Sequence, residues 1–310
     1  MSSEASRAPA YTPSDAWSSW LLDHRYGGDA DWQRHVEDRV AVYADKVLDA
    51  CGLRPGMTLA DIGCGDGTVA FRAIRRTGAL RAVLVDISAP LLRHARESAL
   101  AAGLAAQCSF VEASAERLAA LPDASVDAVV TRAALAYVAD KRAALREFHR
   151  VLKPGGRVSV CEPLMQDDAV DTVTLRRIVE ARGHLPGHEL LPLLHRWKAA
   201  QYPDTLAGLR ESPIANYSER DLFGFIRDAG FVDAHLELHL DSRPIEARPW
   251  QAFLQASPHP CAPTNGAILE RCFDAPERER FEALMRPAVE AGGEIGVERL
   301  VYASASKPTG

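Results

Sequence analysis

No apolar run in this 310-residue chain approaches the length that crosses a bilayer as a helix, and residues 1–15 are polar and lack the core of an export signal. Cysteine is sparse. The six thiols (51, 64, 108, 161, 261 and 272) form no CxxC pair and no Cys/His spacing of a zinc site, so no metal centre is expected. Scattered thiols without an export signal fit a reducing compartment, and the expected location is the cytoplasm. A dominant charge is missing too: 36 Lys and Arg face 42 Asp and Glu, a net charge of −6 with no basic stripe, which argues against a nucleic-acid partner. There is no internal repeat and no composition break that marks an independent second domain. What remains is an ordinary globular composition, 47% apolar and 25% charged, long enough for one large domain with insertions.

The chain begins with a Ser-, Ala- and Pro-rich stretch, 1–14, expected to be disordered at its start. Helical spacing starts near Ser14, a plausible cap, and puts Trp17, Trp20 and Leu21 on one face. Arg25-Tyr26-Gly27-Gly28-Asp29 breaks that helix, and a second runs from about Trp32 to Cys51. Strands and helices then alternate. Strands are expected at Thr58–Ile62, Arg81–Asp86, Cys108–Glu112, Val126–Arg132 and Gly156–Glu162, with helices near 69–76, 90–102, 114–120 and 141–152. Such alternation specifies a parallel sheet covered on both faces. It lapses over 166–215, a mostly helical insertion with histidines at 184, 188 and 195, then resumes with a capping box at Ser218–Asp221 and a strand at Phe231–Leu240. A second insertion, about 243–295, precedes a last strand at Gly296–Ser306.

The centre of the pattern is Thr58-Leu-Ala-Asp61-Ile-Gly63-Cys64-Gly65-Asp-Gly67-Thr68, an apolar strand running through alternate glycines into a helix. Alternate glycines permit a tight turn and let a ligand lie against the peptide planes. Two further stretches keep step with it. Val83-Leu-Val-Asp86 is a strand ending in an acid 25 residues after Asp61, and Glu147–Gly156 passes from an amphipathic helix through Lys-Pro-Gly-Gly into the next strand.

Together these motifs resemble class I S-adenosylmethionine-dependent methyltransferases, strongly over residues 40–165, in outline over 216–306, and not at all in the insertions. The resemblance implies a doubly wound α/β fold with a mostly parallel seven-stranded sheet. It divides the chain into an N-terminal helical cap (1–50), a donor-binding core (51–165), a helical lid (166–215) and a C-terminal part (216–310) interrupted by the second insertion. It implies S-adenosylmethionine as cofactor. The Gly-x-Gly-x-Gly spacing and an acid suited to an unphosphorylated ribose point the same way. The cofactor-binding residues so implied are Asp61, Gly63, Cys64, Gly65, Asp86, Ile87, Ser114, Ala115 and Arg132, with Arg25 as a further candidate for the donor carboxylate. Ser114 stands where the family commonly has an adenine-binding acid; Glu116 is the alternative, should the register differ.

In-line methyl transfer demands alignment and exclusion of water more than a dedicated base. Crevice-facing candidates for catalytic work are Glu162, Tyr137, Tyr26 and His184, with Arg132 and His188 beside them; the histidines also have a plain surface or helix-packing reading and Tyr137 a packing one, while Glu162 ends the fifth strand, a position that faces acceptors in similar enzymes. A lid built from residues 1–50, 166–215 and 243–295 favours a small-molecule or short-peptide acceptor, with no nucleic acid or membrane partner and a homodimer left open. O-methylation is expected before C- or N-methylation, in a secondary-metabolism setting. Two other readings stay open from sequence: a methyl-donor-binding regulator without turnover, and a nicotinamide-dependent oxidoreductase.

Overall fold

The computed structural model describes residues 15–293 and 295–310. The expectations for Tyr11, for a cap at Ser14 and for the start of the chain lie outside the described residues. Seven strands form one sheet in the order 3-2-1-4-5-7-6: β1 (Thr58–Ile62), β2 (Arg81–Asp86), β3 (Cys108–Glu112), β4 (Val126–Arg132), β5 (Leu152–Pro163), β6 (Val232–Pro244) and β7 (Ile295–Ser306). Strands β1 to β5 pair in parallel, and β7 runs antiparallel between β5 and β6.

The helices are α1 (Ala16–Ser19), α2 (Ala30–Asp49), α3 (Thr68–Thr77), α4 (Ala89–Ala101), α5 (Lys141–Val151), α6 (Gln166–Arg182), α7 (Leu191–Ala199), α8 (Leu206–Glu211), α9 (Glu219–Asp228), α10 (Trp250–Gln255), α11 (Asn265–Cys272) and α12 (Ala275–Ala291). None of the described helices is long and apolar enough to cross a membrane. Period-two alternation in the strands sends side chains to two cores. Leu59, Leu84 and Val130 pack with α2, α3 and α4, while Ile62, Val129 and Val158 pack with α5 and α9. Each fully buried Leu or Ile contributes roughly 1.5–3 kcal/mol. Because α3 leaves β1 toward one face and α5 leaves β4 toward the other, a crevice opens between these neighbouring strands at their carboxyl ends.

A third core lies outside the sheet. Leu193 of α7, Trp250 and Phe253 of α10, Ile268 of α11 and Phe281 of α12 bury one another, so the two insertions pack together. The N-terminal segment is tied to the second insertion: Trp20 Nε1 donates to the Ser257 carbonyl at 3.1 Å, and Ser257 N–H donates to the His24 carbonyl at 3.3 Å. Gly27 lies so close to the Ala252 backbone that a Cβ there would overlap it.

Three local expectations change. The first described helix is capped by Asp15, which accepts from Ser18 N–H at 2.8 Å, and beyond Ser19 it widens into a π-helical turn, Trp20–His24. Residues 114–120 form turns instead of a helix, because their backbone groups are claimed from α5. Glu147 accepts Leu118 N–H at 2.7 Å, and the Arg150 guanidinium donates to the carbonyls of Leu118 and Leu121. Strand β6 continues to Pro244, and β5 begins at Leu152, directly after α5.

Candidate active site

Above the carboxyl ends of β1 to β4 lies a cavity of about 290 Å³. Its floor is the glycine turn. Gly63 and Cys64 N–H both donate to the Val85 carbonyl, at 2.7 and 3.0 Å, stitching the turn to β2. Gly63 has φ of +71°, and a Cβ there would overlap the Cβ of Ala134 on the loop after β4. Only glycine supplies both the left-handed backbone and the space.

Two buried acids hold the turn from below. Asp61 Oδ2 accepts Ala70 N–H at 3.0 Å, so a β1 side chain caps the first turn of α3. Burial pushes the Asp61 carboxyl up to about 7. Asp86 accepts Gly65 N–H on Oδ2 and Ser88 N–H on Oδ1, each at 2.9 Å, bridging the turn to the start of α4. Burial raises its pKa as well, opposed by these backbone donors. Both carboxyls line the cavity, with Ile87, 58% exposed, at its rim.

At the end of β3, Ser114 and Ala115 line the wall, but the Ser114 hydroxyl accepts Glu116 N–H at 3.2 Å in a local turn. Glu116 also lines the cavity, and its Oε1 accepts Asp140 N–H at 2.7 Å.

The loop after β4 carries Arg132, Ala133, Ala134 and Tyr137 into the cavity, with Ala133 in the left-handed region at φ of +52°. Glu162 was expected to face an acceptor from the end of β5; it faces this loop from behind instead. It is fully buried and does not line the cavity. Its Oε1 accepts Leu135 N–H at 3.0 Å and, more loosely at 3.3 Å, Ala134 N–H and the Thr131 hydroxyl, while Oε2 accepts Ala136 N–H at 3.0 Å. Sequence reasoning missed the partner of this anchor, Lys141. The Lys141 Nζ donates to the carbonyls of Ala136, Val138 and Pro213 at 3.2, 2.9 and 2.8 Å and lies over the Tyr217 ring at 4.4 Å. Burial pushes its pKa down to about 8. The signal was there, since a lysine in the first turn of a helix opposes the helix dipole and needs another reason.

The roof comes from the N-terminal segment. Trp17, Trp20, Leu21 and Arg25 line the cavity, joined by Pro260 of the second insertion. The Trp17 and Tyr137 rings meet edge to face at 5.3 Å. Arg25 lies over Trp20 at 5.3 Å and over Tyr26 at 5.4 Å, so Tyr26 backs Arg25 without lining the cavity itself. His184 is exposed, away from the lining residues, and the His188 ring lies 3.3 Å from the Pro186 carbonyl. The 166–215 insertion, expected as part of the lid, supplies no lining residue. Trp20 and Pro260 also line a separate surface groove shared with Ala16, His24, Ser257 and Cys261.

The structure thus gathers Asp61, Gly63, Cys64, Gly65, Asp86, Ile87, Ser114, Ala115, Arg132, Arg25 and Tyr137 around one cavity, and leaves Glu162, Tyr26 and His184 outside it. Residues 60–160 match the family model described as a methyltransferase domain. A ubiquinone/menaquinone biosynthesis C-methyltransferase UbiE of Klebsiella pneumoniae is 33% identical over 198 residues, spanning 61% of this chain and 72% of that one. The chain belongs to the class I S-adenosylmethionine-dependent methyltransferases. The UbiE protein of a Ruegeria species is 30% identical over 62% of this methyltransferase and 73% of that chain. Among solved structures, YcgJ of Bacillus subtilis shares the fold with a TM-score of 0.54 at 17% identity, over 86% of this chain and 98% of that one. Membership sets aside the nicotinamide-dependent reading, and the cofactor of the family is S-adenosylmethionine. The site suits that group. It has a side-chain-free cradle at the glycine turn, an acid at the end of β2, and, at the β4 end, an Arg132 Nε that is buried without a hydrogen-bond partner among the described residues.

Proposed function

We propose that this methyltransferase alkylates a carbon atom of a small acceptor bound beneath the N-terminal roof. The curated relatives are named as C-methyltransferases, and this moves the assignment from oxygen, which sequence reasoning favoured, to carbon. The observation that supports a small acceptor is the roof itself: Trp17, Trp20, Leu21 and Pro260 line the cavity that holds the glycine turn.

In this reading Asp86 accepts the ribose hydroxyls, each of its oxygens having taken one backbone donor and keeping a free lone pair. Asp61 faces the methionine ammonium, the Gly63–Gly65 backbone and Cys64 lie against the ligand, and Ile87, Ser114 and Ala115 hold the adenine end. Arg132 and Arg25 stand at the carboxylate end. S-adenosylmethionine, when bound, supplies an electrophilic methyl group on a sulfonium. The chain aligns the acceptor with that methyl and keeps water out. Burial raises the Tyr137 hydroxyl above its ordinary pKa, which keeps it protonated at neutral pH and makes it a poor base. Glu162 and Lys141 act behind the loop, holding Tyr137 and Arg132 in place.

Incubation with a methyl donor carrying ¹³C in its methyl group and a fractionated metabolite extract tests both parts. A new carbon-bound methyl resonance in a product below peptide size is the expected result. An oxygen-bound methyl overturns the carbon assignment, and label found only in polymer overturns the small acceptor.

A further inference from the structure

The sheet has two edges, and they are built differently. Strand β3 has five residues and offers little backbone to a partner. Strand β6 has thirteen, and among the described residues only β7 pairs with it, so its outer row of backbone groups is unpaired. A bulge at Asp233, whose φ is +50°, lies near one end and Pro244 at the other. From His235 onward the register with β7 is regular.

Period-two alternation gives this stretch two unlike faces. Leu236, Leu238 and Leu240 share one. Leu236 packs on the α5 and α9 side, while Leu238 and Leu240 are 42% and 59% exposed. The other face, toward α2, carries basic and acidic groups in strict alternation: His235, Glu237, His239, Asp241 and Arg243. There Lys46 of α2 donates to Glu237 at 2.6 Å, and the His239 ring lies 4.8 Å from that of Tyr302.

An edge guarded against pairing is short or carries charge of one sign, commonly lysine. This edge does neither, and its order of charges complements its own reverse. A two-fold axis normal to the sheet sets a strand antiparallel to its copy and keeps each face on its own side. With the axis at Leu238, Glu237 stands opposite the partner's His239, His235 opposite the partner's Asp241, and Leu236 opposite the partner's Leu240. Each of these pairings occurs twice, and an imidazole can donate to a carboxylate whether or not it is protonated. Moving the axis by one residue destroys the match. At Glu237 it sets that acid against itself and His235 against His239; at His239 it sets Glu237 against Asp241. We propose that β6 pairs with β6 of a second copy, antiparallel and centred on Leu238, to form a homodimer with one continuous sheet. The leucines then make a single row across the junction. One strand makes a small interface, so the dimer dissociates on dilution. No residue of β6 lines the cavity, and the proposal stands apart from the choice of acceptor.

Sedimentation equilibrium of the full chain across a wide concentration range tests it. The mass is expected to rise from 33.7 kDa toward twice that value. Leu238→Lys sets two ammonium groups on the axis and is expected to leave only monomer, with an unchanged far-ultraviolet spectrum. His235→Glu places a carboxylate against the partner's Asp241 twice over and is expected to weaken association about tenfold. Adding Asp241→Lys restores opposite charges and most of the affinity. Should Leu238→Lys misfold, this swap decides, because both side chains are exposed. Mild oxidation reads the register. Opposite residues of an antiparallel pair lie within disulfide reach, so Leu238→Cys is expected to cross-link to its own copy. Leu236→Cys is expected to cross-link only when mixed with Leu240→Cys, and the wild type, with its exposed Cys261, is the control. A chain that stays monomeric at every concentration overturns the proposal, and so does a dimer indifferent to Leu238→Lys. Preferential cross-linking of Leu236→Cys or Leu240→Cys to itself overturns the register.

Discussion

Asp61 shows how one buried acid couples donor binding to pH. Its folded pKa, about 7, lies above the ordinary carboxylate value, so through the interval between the two the native chain holds a proton that the unfolded chain has released. This group alone therefore makes the unliganded fold less stable as pH rises through that interval. An ammonium group placed beside it favours the ionised form and expels the proton. Affinity for S-adenosylhomocysteine is accordingly expected to rise between about pH 5 and 7, by up to about tenfold per unit, and then level off. Calorimetry in buffers of different ionisation heat reads both the affinity and the released proton, and a flat profile refutes the assignment. Glu162 offers a second test at this scale. Its carboxylate takes only donors, so in Glu162→Gln one amide N–H must face a backbone N–H of the Leu135–Ala136 turn. A loss of about 1–3 kcal/mol in urea unfolding is expected, with activity falling through a misplaced loop. Unchanged stability would remove Glu162 from its anchoring role.

At the scale of elements, the site depends on the β1–α3 turn and the β4–α5 loop meeting at one point, Gly63 against Ala134. Gly63→Ala adds a Cβ that overlaps Ala134 and places a side chain at positive φ, so donor binding is expected to weaken strongly. Adding Ala134→Gly removes the overlap and leaves the backbone strain; partial recovery of affinity in the double variant, by the same calorimetry, checks that division. The glycine turn was legible in the sequence because its chemistry is local: a strand, three alternate glycines, then a helix. Strands β1 to β4 were legible for the same reason, each being a short apolar run bounded by turn residues. Residues 114–120 misled because their helical spacing is local while the groups that unmake the helix, Glu147 and Arg150, arrive from a distant element. Glu162 misled in a related way. A strand-end acid points to a ligand when read alone, and the four groups it binds all come from residues about thirty positions earlier.

Taken as a whole, the molecule has a sheet with two flanking cores and a separate helical core built from both insertions. The insertions carry no motif, and sequence reasoning assigned both to the lid. Only the second reaches the cavity, through Pro260, because the first spends its apolar face, Leu193 included, on α10 to α12. Phe281 is fully buried there, and Phe281→Ala is expected to cost about 3–5 kcal/mol. Hydrogen exchange should show faster amides across α10 to α12 and unaltered protection in β1, β2 and β4; equal loss in the sheet would mean that the two regions unfold as one unit. Trp20 and Pro260 line both the cavity and the surface groove beside it. These side chains separate the cavity from the neighbouring groove, and the one side-chain hydrogen bond securing Trp20 is that to the Ser257 carbonyl. Breaking such a bond costs only about 0.5–1.5 kcal/mol. The wall is thus lightly fastened at this side chain, while the glycine turn beneath it is held by separate bonds, those of Gly63 and Cys64 N–H to the Val85 carbonyl.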